Sequence, residues 1–277
     1  ENGHEDVVLG QLALVQDDLP LAGEQVRDGA GVGQVAAVAG HRRTHLAGGA
    51  VAVSSALPVG GVAFVSLALG LVLAWGWPRL VNLPSPRGTS TVLALTAVAL
   101  TATMVAGDAG DRTRWAGAVV SLGLIASFLH QLMRQDGRPR LVMSLAGTAL
   151  GLGVLGAGSY LVPAADDVTS HRLLVSVGVA AALGCLIDGI AGATSRRLEM
   201  GMGQTILGGL VGAVGAVAGL DPVVAIAAGA LTGLLSWACL RTTVTIATSA
   251  HRRAQLAAGS ACVLVCGFLP VALAQLV

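Results

Sequence analysis

The sequence predicts an all-α protein: a polytopic transmembrane helical bundle of about eight spans, preceded by a tail that does not belong to the bundle. Three observations predict it. Only 11% of the 277 residues are charged, against about 25% in a soluble domain. Hydrophobic residues make up 54%, and mean hydropathy is +0.78. From Val59 onward, apolar runs of 17–23 residues alternate with short polar turns. Crossing ~30 Å of hydrocarbon at ~1.5 Å per residue takes ~20 residues. Lipid offers no partner for backbone N–H and C=O groups, so such runs must be helical.

The runs fall near 59–77, 90–107, 115–133, 141–163, 173–193, 204–220, 222–240 and 255–277. The first loop holds Pro78, Pro84 and Pro86, which keep it out of helix, and Thr89 or Ser90 is placed to cap the second span. Asp221-Pro222 is the sharpest punctuation in the chain. An Asp N-cap followed by Pro at the first helical position predicts a tight hairpin between the sixth and seventh spans. Trp75, Trp77 and Trp115 lie at span ends, as an aromatic belt expects.

Residues 1–58 differ in composition. They carry seven acids and three bases, with no aromatic residue and no Met. They show neither a sustained helical face nor strict alternation. Three readings fit: a disordered extramembrane tail, a surface amphipathic segment, or a start placed too far upstream so that GC-rich DNA outside the gene is read. The third is preferred, and no function is assigned to the tract.

Arginine fixes the expected orientation. All 16 basic residues are Arg. Odd-numbered loops hold ten of them: Arg79, Arg87, Arg134, Arg138, Arg140, Arg196, Arg197, Arg241, Arg252 and Arg253. Even-numbered loops hold three, beside Asp108, Asp111, Asp166, Asp167 and Asp221. Positive loops stay inside, so the odd loops are expected to be cytoplasmic and both termini external.

Glycines are expected to set the packing. Gly147/Gly151, Gly208/Gly212 and Gly215/Gly219 have G-x-x-x-G spacing on the fourth and sixth spans. Lipid supplies no hydrophobic drive for helix association, so faces of small residues favour close backbone contact. This predicts that the fourth and sixth spans are central. The four cysteines, Cys185, Cys239, Cys262 and Cys266, all sit in apolar runs. They form no loop framework of disulfides, and Cys262 and Cys266, though on one helix face, lack a His or acid to complete a metal site.

Two ionisable residues lie clearly within spans: His130 in SFLHQLM and Asp188 in CLIDGIA. Both fall about 5–8 Å inside the same boundary by helical rise, so they meet if the third and fifth spans are neighbours. An intramembrane acid is a functional-site candidate, and substrate or proton binding by Asp188 and His130 is the sharp reading. The bland one is an interfacial Asp paired with Arg134, Arg197 or Arg241.

Enzyme patterns fail on spacing. Asp188-Gly189 begins like the core of the CDP-alcohol phosphotransferases, but Cys185 and Gly192-Ala193 replace the acid and the Ala-Arg of that motif. Phosphatidate cytidylyltransferases use a cluster of Asp and Lys, and this chain has no Lys. Net charge is +1, which leaves no basic surface for nucleic acid. No cofactor or metal is expected, and the expected partners are membrane lipids and other membrane helices.

The segments GWPRLVNLPSPRGTSTVLAL (76–95), SFLHQLMRQDGRPRLV (127–142) and HRRAQLAAGSACVLVCG (251–267) resemble a group of uncharacterised actinobacterial multi-span membrane proteins, some loosely labelled permeases. The resemblance spans 59–277 and implies a bacterial plasma membrane; it carries no catalytic residues. It draws attention to the Arg-Pro loops. There Arg87, Arg138 and Arg140 offer forked donors to anionic headgroups or other anions, while simple anchoring of the loops is the plainer use. The functional expectation is a small permease or permease subunit. The alternatives are a non-catalytic scaffold in envelope assembly and, less favoured, a lipid-modifying enzyme.

Overall fold

The computed structural model describes residues 59–108, 111–134, 140–191, 197–217, 219–246 and 252–276, with 185–191, 197–200 and 243–246 described by their backbone. The tail, 1–58, and Arg138 lie outside these residues. Among the described residues there are nine helices: α1 (Val59–Leu80), α2 (Pro86–Ala106), α3 (Ala116–Met133), α4 (Leu141–Ser159), α5 (Val168–Ala191), α6 (Arg197–Val217), α7 (Pro222–Ile246), α8 (Arg252–Val265) and the short α9 (Leu269–Ala274). A 3-10 turn, Pro163–Ala165, extends α4, and there is no strand among the described residues. Among the described residues six segments are long and apolar enough to cross a membrane; α5 and α6 carry two shorter apolar stretches, Val168–Gly184 and Gly201–Val217. The protein is an all-helical transmembrane bundle.

Helix boundaries follow local chemistry. α7 starts as its sequence dictates: Asp221 Oδ1 accepts the N–H groups of Val223 and Val224 at 3.0 Å each, and Pro222 takes the first position. α2 starts earlier than expected. Its N-cap is Ser85 rather than Thr89 or Ser90, because Pro86 fits the first turn, where its missing N–H is not needed. Pro78 likewise lies inside the last turn of α1, so Pro84 is the proline left in the loop. Gly219 is not on a helix. It sits in the α6–α7 turn at φ +90°, a left-handed conformation that an L side chain resists, so it serves the turn rather than helix packing.

The helices form two groups joined by α8. α1 packs on α2, α2 on α3 and α4, and α3 on α4; α5, α6 and α7 pack together; α8 touches α1, α4 and α7. One apolar core collects Leu73, Leu93, Leu100, Leu152 and Leu264 from α1, α2, α4 and α8. A second gathers Leu173, Val177, Ala225, Ala228 and Leu269 from α5, α7 and α9. The central helix is α8, not α6. Ala254, Ala257, Gly259, Ser260, Ala261 and Cys262 are all buried, and their small volume lets neighbours close in from several sides. α6 is flush with its neighbours on one face but exposes Met202, Ile206, Leu210 and Val214 on the other. In a bilayer such apolar exterior faces meet acyl chains.

The glycine pairs work in two different ways. On α6, a Cβ at Gly208 would strike the carbonyl of Gly229, and one at Gly212 the carbonyl of Ala225; Gly229 and Gly233 on α7 answer against Gly208 and Gln204. That is backbone on backbone along an antiparallel seam. Gly215 instead faces Ser176 of α5, whose Oγ lies 2.6 Å from where a Cβ would stand. On α4, Gly147 and Gly151 form a slot for side chains. Trp77 lies in it, its Nε1 donating to the Gly147 carbonyl at 2.8 Å. Trp77 is therefore a core residue, 3% exposed, and not part of an aromatic belt, whereas Trp75 and Trp115 lie outward with Arg253 and Arg114 over their rings.

The last span is broken. α8 ends at Val265 and the chain resumes helix at Leu269, after tight turns in which Cys266 N–H bonds to the Val263 carbonyl and Gly267 N–H to the Leu264 carbonyl. The break lies where Gly267 passes over α4, with the Ala157 carbonyl 2.8 Å from the place of a Cβ. The Cys262 carbonyl, losing its usual N–H donor, accepts the Cys266 thiol at 3.3 Å.

Candidate functional site

The two buried glutamines among the described residues, Gln131 and Gln204, lie toward the same end of the apolar bundle. Consecutive helices alternate in direction, so the ends of α1, α3, α5 and α7 and the starts of α2, α4, α6 and α8 share that end. Two loci form there.

The first lies among α2, α3 and α4. His130 Nε2 and Ser85 Oγ are hydrogen-bonded at 3.0 Å, and Gly88 is bare so that the imidazole can lie against α2. This bond also explains why Ser85 makes no side-chain cap: its hydroxyl is engaged by the ring. One residue on, Gln131 turns inward. It is 1% exposed, donates from Nε2 to Ser144 Oγ at 2.6 Å, and accepts from Arg134 Nη1 at 3.0 Å. The Ser144 carbonyl in turn accepts the Thr148 hydroxyl at 2.7 Å. This is a satisfied network, which pins α3 to α4. Arg87 and Arg140 stand exposed at the same end, on the first turn of α2 and at the N-cap of α4, where Arg140 takes the left-handed conformation at φ 56°.

The second locus lies among α5, α6 and α7. Gln204, 2% exposed, donates from Nε2 to the Gly184 carbonyl of α5 at 3.2 Å. Its Oε1 is buried with no partner, and so is Nε1 of Trp237 on α7. The two residues are neighbours across the glycine seam. The Trp237 ring covers Gly201, one turn before Gln204, and the Gln204 backbone carbonyl lies on Gly233, one turn before Trp237. Asp188 is one turn beyond Gly184 in the backbone of α5, and its side chain lies outside the described residues.

His130 and Asp188 are not brought together. α3 packs on α2 and α4, while α5 packs on α6 and α7, so the two candidates belong to separate loci at the same end. Both loci turn on residues the sequence reading passed over, Gln131 with Ser144 and Gln204 with Trp237. A signal existed: glutamine amides within apolar runs are as conspicuous as an acid once neutral hydrogen-bonding groups are counted along with charges. Among the described residues no group of three His, Cys, Asp or Glu side chains could hold a metal ion.

The opposite end carries Asp108, Asp111, Asp166, Asp167 and Asp221. Arg112 clasps the bundle there: its Nε pairs with the Asp166 carboxylate, and its Nη1 donates to the Met104 and Val105 carbonyls at 2.6 and 3.2 Å. Those carbonyls belong to the last turn of α2, where a cation is favoured. Asp167 caps α5. The Ser170 N–H, 2.9 Å from its Oδ2, holds the carboxyl below its ordinary pKa, against a smaller opposing effect of burial. In comparisons with protein families, with curated proteins and with solved structures, the chain matches none.

Proposed function

We propose that this chain is a small permease, or the membrane subunit of one, in a bacterial plasma membrane, with its polar site among α5, α6 and α7. The observation that carries the reading is the pair of buried, unpartnered groups, Gln204 Oε1 and Trp237 Nε1, on adjoining helices. Each unmet polar atom costs roughly 1–3 kcal/mol in an apolar interior. A solute that accepts from the indole N–H and donates to the amide oxygen recovers that cost while it is bound. Asp188, one turn from Gly184, adds an acid to the same helix ends and is the natural ligand for a proton or a cationic group.

The remaining assignments follow from the distribution of charge. The arginine-rich end faces the cytoplasm and the acidic end faces out. Arg87, Arg138 and Arg140, with His130 beside Ser85, meet anionic headgroups at the inner surface. A scaffold that binds partner helices through its glycine faces is disfavoured, because Gly147, Gly151, Gly208, Gly212 and Gly215 are already in contact within the chain.

The test is reconstitution of the purified chain in liposomes. Swelling reports the entry of small uncharged solutes, and a trapped pH-sensitive dye reports proton movement. The reading expects flux above that of empty liposomes, lost in both Asp188→Asn and Gln204→Leu while membrane insertion is unchanged. Equal flux in wild type and both variants, or none in any, refutes it.

A further inference from the structure

An apolar groove runs along the outside of the bundle between α3 and α4. Leu124, Phe128 and Leu129 line it from α3, and Leu145, Ala146 and Ala149 line it from α4; its volume is about 530 Å³. Side-chain size gives it its shape. Phe128 stands half-exposed as a ridge, while Ala146 and Ala149 leave the opposite side low. Gly153, one turn beyond Ala149, has nothing within 4 Å of its Cβ position and continues the bare strip. Behind the groove the helices are closed by the Gln131–Ser144 bond and by the approach of Gly123 to Leu152, whose Cδ2 lies 3.0 Å from the place of a Cβ. The groove therefore leads along the surface and not into the bundle.

We propose that this groove seats one acyl chain of a single anionic phospholipid, with its phosphate held at the start of α4. Charge complementarity selects that occupant. Leu145 is followed back to Arg140, and Leu129 onward to Arg134, over roughly 7.5 Å of helical rise in each case, so both arginines stand just past the same end of the groove. Arg140 is exposed, and its side chain makes no cap bond to the first N–H groups of α4. A forked cation beside the N–H groups that open a helix is the chemistry that holds a phosphate. Arg134 adds its charge there while bonded to Gln131. Leu141 to Gly153 covers roughly 18 Å, close to one leaflet of a ~30 Å hydrocarbon core, so a chain hung from that phosphate runs the length of the groove. A second copy packed on the same face about a two-fold axis along the membrane normal would set the arginines of both copies side by side, like charge on like. General contact between arginine loops and headgroups thus becomes one defined site. The inference is independent of the permease reading.

The test is photolabelling of the intact chain in phosphatidylcholine liposomes. Two probes carry the same diazirine-bearing acyl chain, one on phosphatidylglycerol and one on phosphatidylcholine. Trypsin, cutting at Arg114, Arg134, Arg140 and Arg172, isolates α3 in a peptide 115–134 and α4 in a peptide 141–172; the outward face of α6 lies in a peptide 198–241. The phosphatidylglycerol probe should label 115–134 and 141–172 about fivefold more than the phosphatidylcholine probe, the advantage expected of one arginine near the surface, and unlabelled phosphatidylglycerol should saturate the excess. Peptide 198–241 should take both probes alike and without saturation. Arg140→Asn removes the charge with a residue that suits φ 56°, and should cancel most of the preference. Ala146→Phe fills the groove from an exposed position, and should remove the saturable labelling while 198–241 is labelled as before. Equal labelling of all three peptides by both probes would overturn the proposal, leaving only ordinary lipid contact. So would a saturable excess that survives both variants. Exclusion of both probes from 115–134 and 141–172, with the mass of two copies in detergent, would give the groove to a second copy instead.

Discussion

Adding one methyl group at Gly208 should be among the most damaging small changes in this protein. In Gly208→Ala the new Cβ meets the carbonyl of Gly229, and a backbone atom cannot rotate away as a side chain does. The helices must part along a seam that continues through Gly212 against Ala225 and Gly233 against Gln204. Overpacking a close-fitting interior costs typically 1–3 kcal/mol, and the rigidity of this contact puts Gly208→Ala toward the upper end, about 3 kcal/mol. The control lies on the same helix. Gly203 has nothing within 4 Å of its Cβ position, so Gly203→Ala should stabilise by about 0.5–1 kcal/mol through helix propensity alone. The same substitution, five residues apart, thus changes sign. Gly229→Ala repeats the clash from the other side. Once the helices have parted, the second methyl costs less, so the double variant should be less unstable than the sum by about 1 kcal/mol or more. Reversible unfolding in mixed detergent micelles, followed by circular dichroism, measures all four. Equal effects for Gly203→Ala and Gly208→Ala, or strict additivity of Gly208→Ala with Gly229→Ala, would refute the seam.

Two further expectations use the same assay. Trp77→Phe keeps most of the ring but removes the N–H that reaches the Gly147 carbonyl at 2.8 Å, so it should destabilise by about 1 kcal/mol, while Trp75→Phe at the exposed position should change little. Asp167 has a lowered pKa in the fold. Its contribution is therefore complete above the ordinary carboxylate range of about 4 and is lost as pH falls through the folded value. Wild type should lose stability relative to Asp167→Asn as pH is lowered below about 4; parallel pH profiles would remove the cap from the account.

The fold class was legible because it depends on local physics. Length and apolarity of each run demand a membrane helix, and Asp221-Pro222 announces a helix start whatever surrounds it. Neighbours were not legible. In lipid, the face toward a partner helix and the face toward acyl chains are equally apolar, so periodicity carries little information about which is which. Hence α6 reads as central although half of it faces outward, and Gly147/Gly151 reads like Gly208/Gly212 although one pair receives an indole and the other a backbone. Trp77 shows the same limit: a tryptophan near a span end fits an interfacial belt, and only the Gly147 carbonyl across the bundle draws it inward. The partner of His130 was hidden for a further reason. It is Ser85, in a turn whose direction the sequence does not fix, rather than a residue on the helix of matching depth.

The α6–α7 seam also limits how this protein can change shape. A contact made of main-chain atoms has no rotamers to exchange and no alternative interdigitation within reach, so the two helices must travel as one plank. Any rearrangement that opens the interior has to slip along the plank's borders, against α5 on one side and α8 on the other, where hydroxyls, amides and thiols can trade partners as they pass.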